Sequence, residues 1–375
     1  MKKQTKSLIL VLLLLALVMV ACQKNDEQST PEPEGDTIVD VDPEEVMEEV
    51  EVEELVVMTH DSFAISEEVM AAFEAEQGIK VTIVKSGDTG SALNRAILSK
   101  EAPIADVFYG VDNTFLSRAI EEEIFEAYDS PMLASIEEQF KLDPTNQALP
   151  VDYGDVCINY DRAVFNENGI PVPLGFESLS NPLYKDMLVV QNPATSSPGL
   201  SFLLATIAYF GEDGYLEYWE ALRANGVLVV NDWESAYYGS FSPYAGVESG
   251  RPLVVSYSTS PAAEVIFAAE ELEESPTGGM TAPGTCFRQI EFVGILKGTE
   301  KRALAEAFID YMLDIDFQED IPMHMFVYPV NTNVEIPAVF EDHDGIVDQP
   351  ATLDPELISD KRDEWIQAWD ETVLR

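Results

Sequence analysis

Beyond residue 54 this 375-residue chain alternates short apolar runs with amphipathic stretches, and that alternation limits what it can fold into. Leu55 to Met58 reads as a strand, with His60-Asp61-Ser62-Phe63 as the loop at its end. Ser66 then suits a helix N-cap, because its hydroxyl can accept from an amide of the first turn. Glu67 and Glu68 complement the positive end of that helix, Val69, Met70 and Phe73 give it an apolar stripe, and Gly78 stops it. Residues 79–84 alternate Ile, Val and Ile with Lys and Thr as a second strand, which breaks at Ser86-Gly87-Asp88. Leu93, Ile97 and Leu98 mark a second helix, and residues 105–110 a third strand, followed by Val111-Asp112-Asn113 and another helix. Strands joined through helices pair in parallel, so the expected class is α/β. About 320 residues are available from Leu55 onward, enough for two lobes with cores of their own. No repeat with a period of 20–50 residues is visible.

The N-terminus carries a different signal. Lys2, Lys3 and Lys6 precede an apolar run over residues 8–21, and Met19-Val20-Ala21-Cys22 closes it in the manner of a bacterial lipobox. Cys22 would then be the lipidated first residue of the mature protein. An ordinary signal peptide or an N-terminal membrane helix remains open, although the run is short of the ~20 residues a span needs. Residues 23–54 hold fourteen carboxylates against Lys24 alone. A segment of that kind cannot bury enough apolar surface to offset its ordering entropy, so it reads as an acidic disordered linker. The expected organisation is therefore a lipoprotein signal over 1–22, a linker over 23–54 and a folded part over 55–375.

The formal net charge of −48 argues against nucleic acid, whose binders need a basic surface. It is compatible with a cationic ligand. Motif searches exclude rather than include. There is no Gly-x-Ser-x-Gly, His-Glu-x-x-His, Gly-x-x-x-x-Gly-Lys or Cys-x-x-Cys, and His60, His324 and His343 are too scattered to define a zinc site. Acid pairs are so frequent that none stands out as a catalytic pair. Cys157 and Cys286 can pair in an exported protein or stay as two buried thiols.

Read together, the loops resemble a known family. In order they are His60-Asp61-Ser62-Phe63; Ala105-Asp106-Val107 leading to Gly110-Val111-Asp112-Asn113; Pro150-Val151-Asp152-Tyr153-Gly154; and Asn192-Pro193-Ala194-Thr195-Ser196-Ser197-Pro198-Gly199-Leu200. Trp233-Glu234-Ser235-Ala236-Tyr237 and the stretch from Leu253 to Ala262 follow, then Phe317-Gln318, Ile321-Pro322 and Tyr328-Pro329-Val330. This series is similar to the periplasmic thiamine-binding proteins of bacterial ABC transporters, in the thiamine/ferric-binding branch of extracellular solute-binding proteins. The resemblance implies the type II, two-lobed periplasmic binding fold, with the ligand in the inter-lobe cleft and hinge closure around it. It places lobe 1 at approximately 55–150 plus 259–320, and lobe 2 at approximately 151–258 plus part of the C-terminal region. Segments 150–157 and 253–260 would be two of the crossings. It also implies a monomer that passes thiamine or thiamine phosphate to a permease with its ATPase subunit. The chain would be exported and lipid-anchored at the cell membrane, with no cofactor and no catalysis.

The same resemblance names a site. Trp233 and Tyr257 match ligand-contacting aromatics; Asp88, Thr89, Ser196, Ser197, Ser258, Thr259 and Ser260 match polar contacts. The residues themselves fit, since a thiazolium cation favours aromatic faces and a carboxylate. Ser196-Ser197 and Ser258-Thr259-Ser260 each open a helix that suits an anion or a polar ligand tail, or is no more than an N-cap. Four positions depart from the family. His60 stands where it has Tyr, Phe326 where it has Trp, Ala263 where it has Tyr, and an aromatic is missing near Glu67. The stretch between Trp233 and Tyr257, with Pro243 in it, is about six residues longer than the family's. These departures leave room for a thiamine precursor or ester. A ferric-ion binder is the main alternative, with His60, Tyr237 and Tyr238 as candidate ligands, because hard Fe(III) favours phenolate and carboxylate oxygen. An exported lipoprotein hydrolase or a surface adhesin is the alternative of another class.

Overall fold

The computed structural model describes residues 52–246, 248–343 and 345–375. Cys22, the signal and nearly all of the acidic linker lie outside them. The strands are β1 (Glu54–Thr59), β2 (Lys80–Lys85), β3 (Val107–Asp112), β4 (Phe125–Glu126), β5 (Leu149–Asp161), β6 (Leu188–Gln191), β7 (Leu228–Val230), β8 (Leu253–Tyr257), β9 (Thr277–Met280), β10 (Phe287–Leu296) and β11 (Tyr328–Pro329). The helices that matter first are α1 (Glu67–Gln77), α2 (Thr89–Leu98), α3 (Leu116–Glu121), α4 (Arg162–Asn168), α5 (Phe176–Leu179), α6 (Ser197–Phe210), α7 (Tyr215–Ala224), α8 (Trp233–Ser240), α9 (Ser242–Ala245) and α10 (Ser260–Ile266). Four more complete the chain: α11 (Arg302–Leu313), α12 (Ile315–His324), α13 (Ala338–Asp342) and α14 (Pro355–Val373).

One sheet runs through the molecule in the order β2-β1-β3-β10-β5-β8-β6-β7. Its two ends are parallel: β1 pairs with β2 and β3 at one end, and β6 with β7 and β8 at the other. The middle is antiparallel, because β10 and the thirteen-residue β5 run against their neighbours. The expected α/β class and parallel first strands are therefore present. Two α/β halves thus share long central strands, the arrangement expected of a two-lobed fold. Cys157 and Cys286 are bonded, from β5 to the residue just before β10, and both are fully buried. Register decides this pairing. Val156 lies opposite Phe287, which puts the two cysteines side by side despite 129 positions between them.

Local chemistry explains the first helices. Ser66 caps α1 by accepting from the Val69 amide, and Gly78 ends it in the left-handed conformation. Asp88 caps α2. Two expectations are corrected. Leu98 is 88% exposed, so the stripe of α2 runs through Ala92, Leu93 and Ala96 instead. Residue 54, expected at the end of the linker, is instead the first residue of β1, where Glu54 pairs with Lys80. At the C-terminal end, α14 packs on α7, where Trp369 meets Trp219 edge to face at 5.5 Å. Among the described residues no helix is long and apolar enough to cross a membrane.

Candidate functional site

A cavity of about 770 Å³, its open mouth included, lies where both halves of the sheet present strand ends and helix starts. Glu291 lines its floor, and two further buried carboxylates flank it in the sheet without lining the cavity. Glu291 on β10 lies opposite Asp112 of β3 on one side and Asp152 of β5 on the other, so three carboxylates sit in register across adjacent strands. The register with β5 shifts immediately after Glu291, a bulge that re-aims side chains. All three carboxylates are buried. Like charges directly opposite one another repel, so such a ladder is stable only if it holds protons. The Tyr109 hydroxyl contacts two of them, Asp152 Oδ2 at 2.6 Å and Glu291 Oε2 at 3.1 Å. Burial pushes Glu291 up to about 8 and Asp112 up to about 6, and it raises Asp152 well above the usual carboxylate range.

His60 lies beside this floor, with Nε2 at 3.4 Å from Glu291 Oε1. Burial lowers its pKa, which favours the neutral ring. The backbone of β3 makes room for it. Gly110 adopts φ 102°, and a Cβ there would come within 2.4 Å of the imidazole.

Asp88 closes the near side. Its carboxylate caps α2 through the Thr89 amide at 2.7 Å, then reaches across to two helix starts on the β6–β7 side. These are the Ser197 amide of α6 at 3.4 Å and the Trp233 amide of α8 at 3.1 Å. Burial raises the pKa of Asp88, and the backbone hydrogen bonds from Thr89 and Trp233 work in the opposite direction.

The far wall is aromatic. Trp233 opens α8, stacks on Tyr237 at 5.1 Å and donates its indole N–H to Ser256. Tyr238 and Tyr244 meet edge to face at 5.0 Å, and both are half-exposed. Glu264 of α10 sits among them and accepts from the hydroxyls of Tyr237 at 2.7 Å and Tyr244 at 2.7 and 2.8 Å. Phe326 and Phe267 form the other side, with centroids 4.9 Å apart. Phe326 holds φ 56°, a conformation bulky residues avoid, and its carbonyl accepts from the Thr259 hydroxyl.

Of the residues expected from sequence, His60, Asp88, Thr89, Ser197, Trp233, Tyr257, Thr259, Ser260 and Phe326 line this cavity, as do Tyr237 and Tyr238. Two do not. Ser196 is fully buried at the N-cap of α6. Ser258 turns away from the cavity and donates to the Gly345 carbonyl at 2.7 Å. Tyr237 and Tyr238 divide as neighbours on one helix must, the first packed in the β6–β8 half and the second at the rim. Sequence reasoning missed Glu291, Glu264 and Tyr244. Among the described residues no group of three or more His, Cys, Asp or Glu is placed to hold a metal ion.

Comparison with known proteins agrees with this architecture. The family of bacterial extracellular solute-binding proteins matches residues 102–345. The chain belongs to that family. The thiamine-binding periplasmic protein of Salmonella typhimurium is 30% identical over 329 residues, covering 86% of this chain and 94% of the relative. A solved periplasmic thiamin binding protein superposes with a TM-score of 0.75 at 27% identity, over 86% of this chain and 96% of that one. The ferric binding protein from Campylobacter jejuni shares the fold at a TM-score of 0.67 and 16% identity, over 85% of this chain and 99% of that one. As a member of that family, the chain is an extracellular solute-binding protein.

Proposed function

We propose that this solute-binding protein captures thiamine or a close thiamine derivative outside the cytoplasmic membrane and delivers it to an ABC permease with its ATPase subunit. One observation carries the reading. The cavity joins an aromatic wall of Trp233, Tyr238 and Tyr244 to carboxylates at Glu264, Asp88 and Glu291, the surroundings a flat aromatic cation needs. Relatives that span most of the chain bear the name thiamine-binding periplasmic protein, which supports the same ligand. In this reading lobe 1 is approximately 55–150 plus 259–320, lobe 2 is approximately 151–258 plus part of the C-terminal region, and β5, β8 and β10 carry the hinge. Packing of α14 on α7 supports the assignment of the C-terminal helix to lobe 2. A lipid on Cys22 would hold the protein at the membrane, with the acidic segment as spacer. The phenol of Tyr237 is committed to Glu264, and burial raises its pKa well above the usual value, which weighs against a phenolate ligand for iron.

The test is a fluorescence and calorimetric titration of the full chain. Thiamine should quench tryptophan emission through Trp233 and bind one to one. A visible charge-transfer band on adding ferric salt, with no response to thiamine, would replace this reading by the ferric one.

A further inference from the structure

We infer that Gly90 is the seat on which the two lobes close, its missing side chain setting how far the cleft can shut; the inference rests on the two-lobed reading above. Gly90 stands in the first turn of α2, in the half built on β1, β2 and β3, and it is buried. The atoms that would meet a side chain there belong to the opposite half. A Cβ on Gly90 would come within 2.9 Å of the Ala194 carbonyl oxygen, 2.9 Å of the Thr195 carbonyl carbon and 3.0 Å of the Thr195 Cα. Non-bonded carbon atoms settle at about 3.5–4.0 Å, so one methyl group has no room while the halves touch. Neither side can yield easily. Asn192 donates its amide to the Val230 carbonyl at 2.8 Å, the amides of Thr195 and Ser196 return to the Asn192 carbonyl, and the Thr195 hydroxyl donates to the Asn231 carbonyl at 2.6 Å. On the other side the Thr89 hydroxyl ties α2 to the Gly110 carbonyl at 3.0 Å.

The polar contacts of the same seam depend on this approach. Asp88, two residues earlier, accepts from the Ser197 amide at 3.4 Å and the Trp233 amide at 3.1 Å, both in the opposite half. Those bonds form only when the start of α2 comes close enough for its backbone to meet the 192–195 turn. The helix itself makes no demand for glycine. Gly90 lies in a regular turn of α2, where alanine is the better helix former. The demand comes from across the cleft. Gly199 gives the contrast, because a Cβ there would meet the Gln191 carbonyl oxygen at 2.6 Å, between α6 and β6 of one half. That close approach belongs to the folding of a lobe, whereas the one at Gly90 belongs to the meeting of two.

The experiment compares wild type, Gly90→Ala and Gly199→Ala as full chains. It reads thermal unfolding of the empty protein, calorimetry with thiamine, and hydrogen exchange at the Ser197 and Trp233 amides. Gly90→Ala should keep or raise the unfolding midpoint, since open lobes leave room for the methyl group and the helix gains. Its thiamine affinity should fall at least ~10-fold, because the closed state that holds the ligand becomes scarce. The two amides should exchange faster in it, having lost Asp88. Gly199→Ala should lower the unfolding midpoint instead. A Gly90→Ala protein that binds thiamine and protects both amides as wild type does overturns the inference. So does one that loses stability as Gly199→Ala does, because the contact would then belong to the fold and not to closure. If wild type fails to bind thiamine, the thiamine reading falls and exchange in the empty proteins decides: faster exchange in Gly90→Ala upholds the seat, and equal exchange overturns it.

Discussion

Raising the pH across neutrality should tighten capture of a cation, because the floor of the cavity must give up a proton to complement it. Glu291 is the group concerned. It faces His60, Tyr109, Asp88, Asp112 and Asp152, and burial pushes its pKa up to about 8. In the empty protein at pH 6 it is therefore protonated and contributes no charge to a ligand. A cation seated about 6 Å away would favour the ionised form by roughly 3 kcal/mol at an effective dielectric constant near 20. That energy corresponds to about two pKa units, so the bound-state pKa falls to roughly 6. Affinity should then be flat below about pH 6, rise toward tenfold per pH unit between 6 and 8, and level off above 8.

The stability of the empty protein moves the other way. A raised pKa means the proton stabilises the fold, fully so below the unfolded value of 4.5, and that contribution is lost as the pH rises through about 8. Ligand and proton thus compete for one group. Calorimetry at pH 7 in two buffers of different ionisation enthalpy counts the protons released, and the count should approach one per thiamine. Glu291→Gln should abolish both the release and the slope. Affinity that does not change between pH 5.5 and 8.5, with no buffer-dependent heat, would refute the reasoning.

Other consequences are simpler to state. Trp233→Ala removes a stacking face and a cation–π partner, so thiamine affinity should fall by at least ~1 kcal/mol in calorimetry, with thermal unfolding little changed. Replacing Cys157 and Cys286 together by Ala opens a loop closed across 129 positions, and chain entropy sets the loss at up to about 5 kcal/mol in denaturant unfolding. Tyr238→Phe removes a hydroxyl at the rim and should cost thiamine binding no more than ~0.5–1.5 kcal/mol, whereas an iron site would lose its colour. Cys22→Ser should move the protein from the membrane fraction to the soluble one, and a variant still membrane-bound after a high-salt wash would end the lipid-anchor proposal.

The parts of the fold that were legible in the sequence are those where one segment carries its own instruction. Ser66 and Gly78 bracket α1 because capping acts over three or four residues. The pattern of Ile, Val and Ile in residues 79–84 reports a strand because side chains alternate faces. Trp233 was legible as a residue that lines the cavity because Asn231 and Asp232 mark a strand-to-helix corner, and corners of that kind face clefts in α/β sheets. Leu98 misled because an apolar residue at a helix end need not face the core.

The carboxylates at and behind the floor were hidden for a different reason. Glu291, Asp152 and Asp112 are three of 69 acidic residues, and nothing local distinguishes them. They become one group only through register across β3, β10 and β5, which is a property of pairing between segments over a hundred residues apart. The disulfide follows the same rule, since Cys157 meets Cys286 through the register that places Val156 opposite Phe287. Glu264 and Tyr244 were hidden by the longer stretch after Trp233. Pro243 there starts the short helix α9, which carries Tyr244 over Glu264. Tyr244 and Ala263 line the same cavity, so α9 sets an aromatic face beside a position of α10 that carries none. A neighbour of that kind is made by packing between elements, and neither segment read alone can report it.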